Sequence, residues 1–354
     1  MLNDYAAMDE ALAFLTPYGP DLRNGLTSHA PMAAEALVAM GRPDAVFLWL
    51  ESYRDGLLPR RAAQGRIAPD GWRAALGHEE LYPEWLVFFE RELGGAPWRD
   101  VVARWTARLA PAFCASATHG VIRVGHAVRT LADAESAARR RELAEGLAYW
   151  AAAYQLLPGG PGAARPLRPR DAIAAVPLVP GAQRRFTGTI VGSLQALDDF
   201  PDFRNAIGLL AVDGPVDTLL SELTETFARV FLANAHDTLT AIVFVHALTS
   251  AAALRSLLPH LDDTAARDAA RYAWQTACAL HAAFGKQPPP AGDVPPPRES
   301  RDALVDMAIA NGDEHAIKFT EACLREHALA PSPAYLAAAR RAIDLLGEGG
   351  PTSW

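Results

Sequence analysis

The sequence predicts an all-α protein, a single large bundle-like helical domain spanning residues 1–354, on three observations. Hydrophobic residues fill 50% of the 354 positions but aromatics only 8%, and alanine dominates runs such as AAAYQLL and SAAALRSLL. Alanine and leucine lose little on entering a helix, whereas strands favour β-branched and aromatic side chains. Apolar residues recur at helical spacing along most of the chain, and no segment sustains strand alternation or a repeat of fixed period.

The elements follow in order. The N-terminal MLNDYAAMDEALAFL is acidic and amphipathic. In DAVFLWLESYRDGL, Asp44 is placed to cap a helix, Val46, Phe47, Leu50, Tyr53 and Leu57 fall on one side, and Gly56 marks the end. EELYPEWLVFFEREL, WRDVVARWTARLA and ESAARRRELAEGLAYWAAAYQLL read as further amphipathic helices. Residues 158–184 are rich in Pro, Gly and Arg without sustained period, which predicts a long connector that wraps the surface or covers a pocket. Helical patterns resume near residue 188 and run through three long segments ending in DTAARDAARYAWQTACALHAAFG. A second connector, 286–299, is broken by prolines, and three closing helical segments reach about residue 346. Glycines are present in the first connector, but neither a preceding strand nor a GK[ST] ending makes it a phosphate cradle.

Several function classes are disfavoured. A net charge of -8, a pI near 5.7 and the lack of a basic stripe argue against nucleic acid. Cys114, Cys278 and Cys323 are odd in number and lack CxxC spacing, which supports neither a disulfide framework nor a cysteine zinc site. The N-terminus has no signal-peptide pattern, and no apolar stretch reads as spanning a bilayer without a charge or break. The expectation is a reducing, cytoplasmic setting with no membrane.

Chemistry points to the histidines. Of ten, His78, His260 and His327 sit among charged or turn residues, and His281 lies near a helix end. Five others lie in apolar helical surroundings. His29 follows Ser28, a candidate N-cap. His119 and His126 are seven residues apart, two helical turns, so both rings leave one face with Cα atoms about 10.5 Å apart. His246 sits in AIVFVHALTSAAAL, and His315 stands one turn before Lys318. Any one of them reads as a core histidine donating to a carbonyl. Together, coming from four helical segments, they resemble the way bundles build metal sites from facing helices, and imidazole suits iron, zinc, copper or nickel.

Lys318 is one of two lysines among 33 basic residues. Its stem could pack while its head reaches solvent or pairs with Glu314 or Glu321. Alternatively, burial lowers its pKa, and the neutral amine reacts with carbon dioxide to give a carbamate, which arginine cannot do.

Taken together, LTSHAPMAAEALVAMGRPDAVFLWLESYRDGL, THGVIRVGHAVRTL, FVHALTSAAALRSLLPHL and DEHAIKFTEACL resemble the questin oxidase-like family in order and rough spacing. The resemblance implies a helical oxidoreductase that oxygenates aromatic polyketides of the anthraquinone type with dioxygen, using a mononuclear non-haem iron (Fe2+) and NADPH as a candidate reductant. It also implies histidine ligands and a carboxylated lysine. Carried over by motif, these are His29, His119, His246 and Lys318, with His126 or His315 completing the set. The chain departs from the family in Ser28 before His29, and in Ala251 and Ala252 where some members carry another histidine. Trp49, Tyr53, Trp85, Trp105, Trp150 and Phe244 are candidates for a flat aromatic pocket, or plain core.

Two other functions fit parts of the sequence. His236-Asp237 in NAHDTL would suit a metal-dependent phosphohydrolase, unless Asp237 caps the next helix. A non-catalytic helical protein that binds a small aromatic molecule would use the histidines as hydrogen-bond partners.

Overall fold

The computed structural model describes residues 5–160, 166–289 and 291–347. It is predominantly helical, as the composition predicts, with one two-stranded sheet. The N-terminal half carries α1 (Ala6–Leu15), α2 (Ala30–Ala39), α3 (Ala45–Tyr53), the short α4 (Trp72–Ala75), α5 (Tyr82–Gly95), α6 (Trp98–Leu109), α7 (His119–Asp133) and α8 (Ala137–Ala152). After the connector come the short α9 (Pro169–Ala172) and α10 (Ile190–Leu194), then α11 (Val216–Asn234), α12 (Thr238–Leu257) and α13 (Asp263–Phe284). The chain closes with α14 (Arg301–Asn311), α15 (Glu314–Leu329) and α16 (Pro333–Leu346).

α12 is the central rod, packed by α7, α11, α13, α15 and α16. Its 20 residues are apolar nearly all round, so each face can be buried, as expected of a core helix. Contrary to the sequence expectation, Thr238–His260 is long and apolar enough to cross a membrane by length and composition; 78% of its most apolar window is buried in the protein. α7 lies against α12, α8 and α2, and α2 lies against α15. Glycines set two of these approaches. A Cβ at Gly120 would fall 2.8 Å from the Trp150 Cα on α8, and one at Gly125 would fall 2.8 Å from the Ala253 Cβ and 2.9 Å from its carbonyl on α12.

Two apolar clusters meet across shared helices. The larger holds Trp85, Trp105, Trp150 and Phe244; the smaller holds Trp49 and Tyr53. α15 contributes to both, through Phe319 and Cys323 on one side and Ile317 and Leu324 on the other.

Some local expectations are corrected. Asp44 makes no side-chain cap at α3, whereas Asp237 caps α12 by accepting from the Thr240 N–H at 2.8 Å. β1 (Tyr18–Leu22) pairs antiparallel with β2 (Leu57–Pro59), a sheet too short to show alternation in sequence. Of the connector at 158–184, residues 161–165 lie outside the described residues, as does residue 290 of the second. The rest of the first connector is not structureless: it includes α9, and Val179 donates to the Ala282 carbonyl at 2.9 Å. Residues just beyond it, 186–191, reach the cavity described next.

Candidate functional site: a buried imidazole cluster

Four helices deliver one imidazole each to a common point. His29 is the residue preceding α2, His119 opens α7, His246 lies midway along α12, and His315 lies in the first turn of α15. Ring centroids are 4.4 Å apart for His29 and His119, 4.6 Å for His29 and His315, 4.7 Å for His119 and His246, and 5.4 Å for His246 and His315. His29, His119 and His246 are buried, and the His315 side chain is 11% exposed. One ring nitrogen from each of His29, His119 and His315 falls within 4.8 Å of the others.

The local backbone orients these rings. Nδ1 of His119 donates to the Ser116 carbonyl at 2.5 Å, and Nδ1 of His246 donates to the Ile242 carbonyl at 2.6 Å. Since a carbonyl can only accept, both Nε2 atoms carry lone pairs, and they face each other at 3.1 Å. A shared proton is disfavoured because burial holds both pKa values well below the usual imidazole value. Two ligands about 2.1 Å from one ion at right angles stand about 3.0 Å apart, so the separation suits a shared cation. Oε2 of Glu314 is buried without a hydrogen-bond partner, and Nδ1 of His315 has only Oδ1 of Asp313 beside it, at 3.3 Å. A donor set rich in imidazole with unsatisfied lone pairs fits a divalent transition ion.

Lys318 is 4% exposed, so its head does not reach solvent. Its Nζ donates to Nδ1 of His29 at 3.1 Å, while Glu321 is bound by Arg129 at 2.5 Å instead. Burial brings the amine down to about 8, against the upward pull of Glu314 and Asp313. Burial also lowers His29 well below the ordinary value, and raises the Glu314 carboxyl. Asp313 caps α15 by accepting from the His315 and Ala316 N–H groups, at 2.7 and 3.2 Å.

The cluster lies in the wall of a cavity of about 360 Å³, a size that suits a small organic molecule. Its other walls come from the 24–27 segment after β1, from 186–191, and from Leu239 and Ile242 at the start of α12. No Arg or Lys is among the described residues lining it, whereas Asp21, Glu79, Asp313 and Glu314 are.

Of the residues singled out in sequence, His29, His119, His246, His315 and Lys318 come together. His126 does not: its Nδ1 donates to Oε2 of Glu35 at 2.6 Å, beside Arg129, in an ion network two turns further along α7. Two turns along a helix is too far for its short side chain to fold back on His119. None of the six aromatic candidates lines the cavity. Trp85, Trp105, Trp150 and Phe244 are core, Trp49 donates to the Gly312 carbonyl at 2.8 Å, and Tyr53 receives the His29 backbone N–H at 3.1 Å. The aromatic rings that do line it, Tyr149 and Phe186, were not singled out. His236 and Asp237 are exposed, and Asp237 serves as a helix cap, which leaves the phosphohydrolase pair without a buried site.

Fold and site together define an all-α protein with a histidine cluster in the wall of a cavity of small-molecule size. Residues 44–206 match the family model described as questin oxidase-like, which bears out the resemblance. The match implies an oxidoreductase of the oxidase or oxygenase kind, with a small-molecule substrate and oxygen as its reactants. His119 and His126 fall within the matched residues; His29, His246, His315 and Lys318 lie outside them. No curated protein matches the chain.

Proposed function

We propose that this protein is a metal-dependent oxygenase for a small aromatic substrate of the anthraquinone type. What supports this reading above all is the pair of carbonyl-pinned imidazoles, His119 and His246, with Nε2 atoms 3.1 Å apart beside the cavity. His29, His119, His246 and His315 would hold ferrous iron. The iron would supply the one-electron chemistry that lets ground-state dioxygen react with a closed-shell aromatic.

The chain's own contributions can be derived separately. The carbonyls of Ser116 and Ile242 fix the tautomers of His119 and His246 and keep their Nε2 atoms available. Lys318 would supply an anionic donor. With its pKa near 8, roughly a tenth of the amine is neutral at pH 7. The nitrogen lone pair attacks carbon dioxide, an N–C bond forms as one C=O π bond opens onto oxygen, and the proton released from nitrogen passes by way of Nδ1 of His29, which lies 3.1 Å from Nζ, leaving a carbamate with two oxygen donors. The half-buried apolar side chains of Leu239 and Ile242 line the cavity beside the rings and limit the access of water to them. NADPH, as the reductant, would meet carboxylates and no Arg or Lys among the described residues lining this cavity, so its phosphates would lie outside it.

Elemental analysis of tag-free protein tests the proposal. The expected result is about one iron per chain, removed by chelator together with dioxygen uptake in the presence of a hydroxylated anthraquinone. A protein that takes up no divalent metal on reconstitution would contradict it and favour the non-catalytic binding function.

A further inference from the structure

The turn that leads into His119 is unusual in two ways. Ser116, Ala117 and Thr118 have φ of 48°, 52° and 76°, three successive non-glycine residues in the left-handed region. Such residues each cost of order 1 kcal/mol and persist where the surroundings impose them, most often at functional sites. The turn also aims two groups of one residue in useful directions. The Ser116 carbonyl accepts from both the backbone N–H and Nδ1 of His119, at 3.1 and 2.5 Å. Its hydroxyl, meanwhile, meets those of Tyr149 at 2.8 Å and Thr27 at 3.2 Å, and these two lie 2.7 Å apart.

The three hydroxyls come from α8, the strained turn and the segment after β1, and all three residues line the cavity that the imidazoles line. They form a closed triangle. Each oxygen then gives one proton and receives one, which leaves a lone pair on each to accept a further hydroxyl. Turning one O–H outward makes the same group a donor. The Tyr149 ring packs on the larger apolar cluster, edge-on to Tyr82, but its hydroxyl and those of Ser116 and Thr27 cap no helix, and none of the three residues is fully buried. The charged side chains lining the cavity are carboxylates, with no Arg or Lys among the described lining residues, so the metal-free cavity disfavours anions.

We propose that Thr27, Ser116 and Tyr149 form a hydroxyl clamp that binds a hydroxyl of an uncharged aromatic ligand, and that the left-handed turn 116–118 keeps the clamp in register with His119. This rests on the proposed function only in taking the cavity as the substrate site. A site built to hydrogen-bond a hydroxyl rejects an analogue lacking it, because its own polar groups are left unpaired.

The test is calorimetric titration of the full chain with 1,8-dihydroxyanthraquinone and with its 1,8-dimethoxy counterpart, metal content being measured on every sample. The wild type should bind the dihydroxy compound the more tightly. Tyr149→Phe and Thr27→Val should each weaken that binding about 3–10-fold, while leaving the dimethoxy affinity, the melting temperature and the metal content unchanged. Anthraquinone-2-carboxylate should bind chelator-treated protein more weakly than either neutral compound does. Equal affinity of the wild type for both neutral probes, binding of neither, or variants that bind the dihydroxy probe as the wild type does would each overturn the clamp. Metal content separates that failure from failure of the oxygenase reading: a clamp without metal, or metal without a clamp, are distinct results.

Discussion

Lys318 shows how much rests on a single side chain. An arginine at this position would keep the charge but could never present a neutral nucleophile or a carbamate. Lys318→Arg should therefore lower metal affinity by at least the roughly 10–100-fold that loss of a supporting partner costs, with the helical circular dichroism unchanged. A variant that folds and holds iron like the wild type would show that Lys318 contributes no ligand. The imidazoles carry a pH signature of their own. Burial holds His29, His119 and His246 well below their unfolded value of 6.5. As pH falls below 6.5 the unfolded chain takes up protons that the folded chain refuses, so stability present above 6.5 is lost toward lower pH. These three alone give a slope of about 4 kcal/mol per pH unit, and His126, His260 and His281, also lowered by burial, act in the same sense. Glu314, whose carboxyl is raised, acts in the opposite sense with one proton. Urea midpoints of chelator-treated protein between pH 7 and 5 should drop steeply; a flat profile would mean the rings are not held neutral.

At the scale of elements, the site depends on how closely α7 approaches α12. His119 and His246 sit on those two helices, and Gly125 lets them touch at the Ala253 carbonyl, 2.9 Å from where a Cβ would be. Alanine is intrinsically the better helix former by about 1 kcal/mol, yet here its methyl would push the helices apart. Gly125→Ala should thus cost about 1–3 kcal/mol by urea unfolding and reduce iron content as well. An alanine variant more stable than the wild type would show that the helices yield without consequence. The elements also show where sequence reading succeeds. α5, α6, α11, α13 and α15 were legible from their helical period, and α12 from an apolar run too long for a strand. β1 and β2 were not, since strands of five and three residues carry too little pattern. Nor was the turn at 116–118, because nothing in Ser-Ala-Thr announces a left-handed backbone that glycine or asparagine would ordinarily supply.

For the whole molecule, the sequence indicated which residue types belong to the site but not which copies meet. Helical spacing put His119 and His126 on one face, yet the chain sends His119 to the cluster and His126 to Glu35. Packing separates them, and packing is not local. The aromatic candidates failed for the same reason: a Trp at helical spacing fits core and pocket alike, and Trp85, Trp105 and Trp150 were absorbed by the larger apolar cluster. His29, His246, His315 and Lys318 converge although up to 289 residues separate His29 from Lys318. Their convergence is the central claim. An anomalous-scattering map at the iron edge, from crystals of protein reconstituted with ferrous iron, tests it most directly. The expected result is one strong peak within bonding distance of Nε2 of His119 and Nε2 of His246, with His29 and His315 around it and density extending from Lys318 Nζ. A map with no peak there, or with a peak elsewhere in the chain, would contradict it.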